Sequence, residues 1–429
     1  MRPGLLQWWS SPDGDRRRLA ALASAGLVDS LCLSMAWTVL VLWVADEHGL
    51  AAVGLCSAAM LVGVALSAPV AGRVAARADG RLLLQTVTGV EMGLRAALAL
   101  LVLSEAPLLL LVLCIGAMNV TAWTGYAAMR AEVAAVRPGP AALTWYGTAV
   151  AAVEAGGVAL AALFTVDPAV RDTVLTVVMV VNITGLVPTL LVARGSRVRR
   201  AAPAQADRRG RPSRLPALGA LLMLLGSAPT LLYVALSEQA HGRTAVAAAA
   251  LSFVAGSLLA GTAASALQKR PGSSLSRYCL VAAGMVAGWV VAPVSVPLLC
   301  AAQLMSGVCM TLLEGLLDSA AATRQPHRVT GALASVTSGR ALGSAAGTAA
   351  LPLVMVHTGL PVAAAVATAV LVVGGLCAAS WRRHDDPGTA AVPRPRAGAS
   401  GRRRVPRAVT ATHGPPEEAL PRALSRRAT

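Results

Sequence analysis

The sequence predicts an all-α, polytopic membrane protein with twelve transmembrane helices in two pseudo-symmetric bundles of six. Three observations carry that prediction. Of the 429 residues, 56% are hydrophobic and only 13% charged, whereas a soluble chain carries about 25% charged and about 45–50% apolar residues. The apolar residues gather into stretches of about 20, the length that crosses a bilayer core of about 30 Å. Basic residues cluster between alternate stretches, which fixes an orientation.

The expected spans are 19–45, 51–72, 82–103, 107–129, 141–164, 172–193, 216–237, 244–267, 278–295, 296–317, 329–356 and 360–381. The first follows Arg16, Arg17 and Arg18, which anchor its start in the cytoplasm, and it is too long for the apolar core of a cleaved signal peptide. The ninth and tenth share one run, divided by Pro293, Ser295 and Pro297, because proline rings disfavour an uninterrupted helix. The eleventh is rich in Gly, Ser and Thr and is expected to be partly broken.

With both termini in the cytoplasm, the inner segments hold 33 of the 37 basic residues and the outer loops only Arg171 and Arg243. The reverse orientation would violate the positive-inside rule, so a multi-pass plasma-membrane protein with cytoplasmic termini is expected. The formal charge of +17 is thereby a record of topology. Nucleic acid is not expected as a partner, since the basic segments lack interleaved aromatics; the lipid bilayer is.

The domain scheme follows from these segments: 1–18 cytoplasmic, 19–193 a first six-helix bundle, 194–215 a basic linker, 216–381 a second bundle and 382–429 a disordered basic tail. Shifting the chain by 193 residues aligns His48-Gly49 with His241-Gly242, Gly63 with Gly256 and Arg77 with Arg270. Two halves related by an axis along the membrane normal would place a small-molecule site at midplane between them.

Several chemistries are excluded. Lys269 is the only lysine beside 36 arginines, so neither a P-loop lysine in its motif nor a buried Schiff-base lysine is available. The seven cysteines sit inside apolar runs without C-x-x-C spacing and read as free thiols rather than a disulfide or zinc framework. The signatures H-E-x-x-H and G-x-G-D of intramembrane enzymes are absent, and the six histidines lie at loops, ends or tails. No catalytic role, cofactor or metal is expected.

The loop after the second span reads Gly72-Arg73-Val74-Ala75-Ala76-Arg77-Ala78-Asp79-Gly80-Arg81-Leu82-Leu83. It resembles the signature G-x-L-A-D-R-x-G-R-R of the major facilitator superfamily, with Ala76 where that family has its gating Asp and Asp79 as the loop's only carboxylate. The resemblance implies a gating loop in which Gly72 permits close helix approach, while Arg77, Asp79 and Arg81, with Arg270 in the second half, form a latch that breaks as the halves rock. In the fifth span, Glu154-Ala155-Gly156-Gly157-Val158-Ala159-Leu160 is similar, without its proline, to a motif of proton-driven exporters. Gly343-Ser344-Ala345-Ala346-Gly347 in the eleventh reads as a helix-packing stripe.

Ionisable groups deep in a bilayer cost a few kcal/mol or more, so each is a functional candidate. Asp29 lies ten residues into its span, about 15 Å deep. It has no local partner, and the resemblance places its helix at the central cavity. It is either a proton carrier or a structural carboxylate paired with an arginine. Glu91 and Arg95 share a helix face at i,i+4 and are expected to neutralise one another as a buried ion pair. Glu154 and Arg340 stand in helices that face each other in the resembled fold, where they form either a moving bridge between halves or a static pair. Glu314 and Asp318 lie near the inner end of the tenth span, Asn119 and Asn182 are central amides, and Trp37, Trp123 and Trp145 either line a ligand pocket or simply pack.

The sequence therefore predicts a monomeric secondary transporter resembling the proton-coupled exporters of that superfamily, with a small amphipathic substrate and protons as coupling ion. Proton-coupled uptake and a non-transporting scaffold or receptor are the alternatives.

Overall fold

The computed structural model describes residues 13–75, 77–137, 140–164, 171–198, 214–268, 274–324 and 329–385. Arg270, Ala76, most of the linker and the tail beyond Asp385 lie outside the described residues.

The described residues form helices joined by turns. The first bundle comprises α1 (Asp13–Ala75), α2 (Gly80–Leu103), α3 (Leu108–Val136), α4 (Pro140–Ala162), α5 (Arg171–Thr184) and α6 (Val187–Ala193). The second comprises α7 (Leu215–Gly226), α8 (Ala228–Leu231), α9 (Tyr233–His241), α10 (Arg243–Gln268), α11 (Ser274–Ala287), α12 (Val296–Arg324), α13 (Val329–Thr358) and α14 (Leu360–Asp385). Among the described residues, nine segments are long and apolar enough to cross a membrane, the longest being Gly14–Val74 within α1. Leu100, Leu109, Val356 and Leu376 are among many large apolar side chains facing outward, an arrangement that suits lipid and not water.

The 63 residues of α1 contain two of the expected spans, separated only at Gly49, whose φ of 76° and ψ of 175° break the helix. Between α9 and α10, Gly242 takes φ 81° and ψ 176°. Two glycines 193 residues apart thus make the same turn, in a backbone region that side-chain-bearing residues avoid. The packing repeats as well. A Cβ on Gly63 would stand 2.4 Å from the Gly116 carbonyl oxygen of α3, and one on Gly256 would stand 2.0 Å from the Leu304 oxygen of α12. The α1–α3 contact of the first half is therefore matched by the α10–α12 contact of the second.

Helix breaks fall elsewhere than expected. The eleventh span is one continuous helix, α13, of 30 residues. Its glycines form a stripe against α7: Cβ atoms on Gly339, Gly343 and Gly347 would lie 2.4, 2.0 and 2.7 Å from the carbonyl oxygens of Pro216, Ala220 and Leu224. Close packing holds the helix where propensity alone would let it fray. The sixth span is interrupted between α5 and α6, and the seventh at Ser227 and Leu232. Pro188 and Pro229 stand in the first turn after these breaks, where a missing N–H does no harm. The run shared by the ninth and tenth spans is divided by 3-10 turns at Gly288–Val290 and Ala292–Val294, and α12 begins at Val296 as expected. It ends at Arg324, and α3 ends at Val136, each seven residues beyond the expected span.

The halves meet mainly where α1 packs on α13 and α4 on α10. A Cβ on Gly54 would approach the Thr348 oxygen to 2.6 Å, and Ser338 donates to the Ala65 carbonyl at 3.0 Å.

Candidate functional site

Asp29, Glu91, Arg95 and Asn182 converge inside the first half. Arg95 is fully buried on α2. Its Nε donates to Glu91 Oε1 at 3.1 Å and its NH2 makes a second, short bond to the same oxygen. The NH2 group also donates to Asp29 Oδ1 at 2.8 Å. Its NH1 group reaches both the side-chain and backbone oxygens of Asn182, each at 2.8 Å. The backbone acceptor exists because α5 ends there. The Leu186 amide, which would bond the Asn182 oxygen in a continued helix, instead donates to Ile183 at 3.3 Å. Gly185 lets α1 come close, since a Cβ there would meet the Cys32 Sγ at 2.9 Å, one turn from Asp29.

Asp29 thus has a partner that its own helix could not supply, and the expected Glu91–Arg95 pair is part of a larger group. Two carboxylates share one guanidinium. With both ionised the group carries one net negative charge, and one bound proton makes it neutral. The Asp29 side chain is 26% exposed while that of Glu91 is 3% exposed, so Asp29 is the member that water or a ligand can reach.

Glu154 lies on α4 with its side chain exposed. It is within electrostatic reach of Asp29 and of Tyr126, Tyr146 and Tyr233, three of the chain's four tyrosines. Tyr126 and Tyr146 stack with ring centres 6.0 Å apart, Trp123 meets Tyr126 edge-on at 5.6 Å, and the Arg130 guanidinium lies 5.8 Å from the Tyr126 ring centre. In a chain with only 14 Phe, Trp and Tyr residues, Trp123, Tyr126 and Tyr146 form one ring cluster beside Arg130. Tyr146 lies so close to α1 that a Cβ on Gly26 would overlap its hydroxyl at 2.1 Å.

Arg340 takes its partners from its own half. NH1 donates to Asp318 Oδ1 at 3.0 Å and to the Glu314 backbone oxygen at 3.1 Å, while NH2 reaches Thr337 Oγ1 at 3.5 Å. The bridge expected between Glu154 and Arg340 is not formed in this structure. The guanidinium turns from α13 toward α12, where a carboxylate and a carbonyl one turn apart satisfy it, and Glu154 has no ion pair among the described residues.

No protein-family model matches the sequence, and no curated protein matches it by sequence. Solved structures do match. Two structures of the nucleoside transporter NupG, the second of a point mutant, superpose with TM-scores of 0.65 and 0.63 at 12% and 8% identity. They cover 85% and 86% of this chain and 99% of NupG. The human organic anion transporter MFSD10 (TETRAN) superposes with a TM-score of 0.58 at 15% identity, over 85% of this chain and 99% of that one. The chain has the major facilitator fold. Both neighbouring proteins are transporters.

Within this fold the gating loop differs from its expected form. Asp79 caps α2 by accepting from the Leu82 amide at 2.8 Å. Arg77 and Arg81 are exposed, and neither makes an ion pair among the described residues. Gly72 faces open space, since a Cβ there would meet nothing within 4 Å; at the exposed end of α1 no helix approaches it. The close approach is at Gly80, whose amide donates to the Val198 carbonyl at 3.0 Å.

The carboxylate that organises this end is Glu132, which the sequence reading passed over because α3 was expected to stop short of it. It is fully buried. It accepts from the Arg197 and Val198 amides at 2.9 and 3.1 Å, from Ser196 Oγ in a short bond, and from Arg18 at 3.4 Å. A carboxylate between the ends of two apolar stretches was the available signal.

Two further candidates, Asn119 and Trp37, pack among the helices. Asn119 is buried, donates to Ile115 of its own helix at 3.0 Å, and packs where α1 crosses at Gly63. Trp37 packs against the main hydrophobic core. At the opposite end of the bundle from Glu132, Arg243 holds Glu238 at 2.8 Å and reaches across to Asp46 at 3.6 Å and to the Phe164 carbonyl at 3.4 Å. Burial raises the Glu238 carboxyl above its ordinary range, against the pull of Arg243. Among the described residues no group of three or more His, Cys, Asp or Glu side chains is placed to hold a metal.

Proposed function

We propose that this protein is a secondary active transporter that works by alternating access and expels a small amphipathic compound in exchange for protons. The observation that carries the reading is the buried group of Asp29, Glu91 and Arg95, one proton short of neutrality and accessible through Asp29. A proton bound on one side of the membrane and released on the other couples its gradient to rocking of the halves. Arg95, itself held by Asn182, keeps the carboxylates in place; Asp29 exchanges the proton.

On this reading Glu154 and the cluster of Trp123, Tyr126 and Tyr146 supply the chemistry of the substrate path between the halves. An unpaired carboxylate among tyrosines favours an uncharged or cationic substrate with an aromatic part. The nucleoside transporter among the structural neighbours is a precedent for a ring-bearing solute. The basic ends support an orientation with both termini in the cytoplasm.

The test is reconstitution in vesicles with an imposed pH gradient. The panel pairs toxic amphipathic compounds with nucleosides, and accumulation is followed with and without a protonophore. Gradient-driven flux should appear with the wild type and disappear in Asp29→Asn, while exchange at equal pH persists. Driven flux that survives Asp29→Asn removes Asp29 from coupling. Protonophore-insensitive flux removes protons altogether.

A further inference from the structure

The cavity that opens beside the first turns of α1 lies outside the transport site. Its volume is about 420 Å³, and it is lined by Asp15, Arg16, Arg17, Leu19, Ala20, Val136, Arg137 and Trp145. Chain direction puts it at the arginine-rich end of the bundle, where α1 begins, α3 ends and α4 begins. Three of its arginines hold nothing among the described residues. In the run Arg16-Arg17-Arg18, Arg18 is committed to Glu132 and to the Val192 carbonyl. Arg16, Arg17 and Arg137 make no side-chain hydrogen bond or ion pair among the described residues. The Arg16 Nε is even buried without a partner. The one carboxylate in the lining, Asp15, is taken by Arg197 at 2.7 Å.

Three free guanidiniums on a mainly apolar cavity define the ligand: an anion with oxygen acceptors at one end and hydrocarbon at the other. We propose that this cavity binds the phosphate headgroup of an anionic glycerophospholipid from the adjoining leaflet. Arg16, Arg17 and Arg137 hold the phosphodiester oxygens, and an acyl chain runs along Leu19, Ala20 and Trp145. Trp145 is half exposed, as expected of a ring at headgroup level. The volume falls within the range of small-molecule sites. A free phosphate satisfies the arginines equally well but leaves the apolar wall uncovered.

Native mass spectrometry of the delipidated full chain, titrated with phosphatidylglycerol or phosphatidylcholine, tests the proposal. Phosphatidylglycerol should bind first and more tightly. The triple variant Arg16→Gln/Arg17→Gln/Arg137→Gln should weaken that first binding by about tenfold or more. The equal loss of charge in Arg194→Gln/Arg214→Gln/Arg324→Gln, all exposed, should change it less than about twofold. Equal losses in the two triples, or no preference between the lipids, overturn the proposal. Displacement of phosphatidylglycerol by millimolar inorganic phosphate assigns the site to free anion and overturns the lipid. Should the pocket triple fail to fold, quenching of tryptophan fluorescence by dibrominated phosphatidylglycerol decides instead. The quenchable fraction should fall in Trp145→Phe, and an unchanged fraction overturns the proposal. Insensitivity of the quenching to deletion of residues 1–12 is also expected; its rise on deletion makes the chain's own start the occupant and overturns the lipid reading.

Discussion

Removing the guanidinium of Arg95 is the sharpest perturbation of the buried charge group. Arg95→Met keeps much of the volume but strands Asp29 and Glu91 and leaves two Asn182 oxygens without their donor. Breaking a buried pair costs about 3–5 kcal/mol. A stranded carboxylate escapes that penalty by taking up a proton. For an ordinary glutamate this costs about 1.4 kcal/mol per pH unit above about 4.3, hence about 4 kcal/mol at pH 7 and about 1 kcal/mol at pH 5. The sign follows: the stabilisation that Arg95 gives is present at neutral pH and fades as pH falls. For a body of this size about 1–2 °C of Tm corresponds to each kcal/mol, so the variant should melt about 3–8 °C below wild type at pH 7.5, and the gap should narrow to about 2 °C at pH 5. The eight tryptophans provide the signal in detergent, scanned at one fixed rate because unfolding is irreversible in such systems. Glu91→Gln, which leaves one carboxylate per guanidinium, should stay within about 2 °C of wild type. A gap for Arg95→Met that is absent at pH 7.5, or that does not narrow with acid, refutes the charge accounting.

The glycine stripe predicts a contrast. Gly343→Ala places a Cβ on the Ala220 carbonyl and should cost about 1–3 kcal/mol, whereas Gly156→Ala, with nothing within 4 Å, should be silent in the same melting assay. Gly49→Ala, forced into a φ of 76°, should lose about 1–3 kcal/mol; an unchanged Tm would show that the turn relaxes freely. Glu132→Gln should lower Tm by several degrees while Asp15→Asn, which removes only an exposed pair, shifts it by less than about 1 °C. Val39 lines a small cavity together with Trp43, Asp46 and Arg243; with the seven native cysteines replaced, Arg243→Gln, which removes the tie between Glu238 and Asp46, should raise thiol labelling of Val39→Cys several-fold, and equal labelling rates would mean that Arg243 does not close that end.

Apolar stretches and arginine placement made the helical layout readable, because both depend on local composition against a fixed membrane thickness. The turn shared by Gly49 and Gly242 was readable for a similar reason, since a tight positive-φ turn leaves a glycine in the sequence. Contacts between distant residues left no such mark. Asp29 and Arg95 are 66 positions apart, and nothing in either helix states that they meet. The Asn182 carbonyl is an acceptor only because α5 breaks, which depends on backbone hydrogen bonding. Arg340 was read toward Glu154 because the resembled fold sets their helices face to face, but a helix pairing does not reveal the face on which a side chain emerges. Glu132 escaped notice because a helix running seven residues past the apolar stretch turns an apparent loop carboxylate into a buried one.

The position of the Asp29–Glu91–Arg95 group has an electrical consequence. Glu91 stands at the middle of the 24-residue α2, so a proton that reaches it has crossed about half of the transmembrane field. Moving a full charge across 100 mV is worth about 2.3 kcal/mol. Loading from one side and release to the other would then each feel about half of that, or about 1.2 kcal/mol. A membrane potential of about 100 mV alone, with equal pH on both sides, should therefore bias occupancy of the group by about sevenfold.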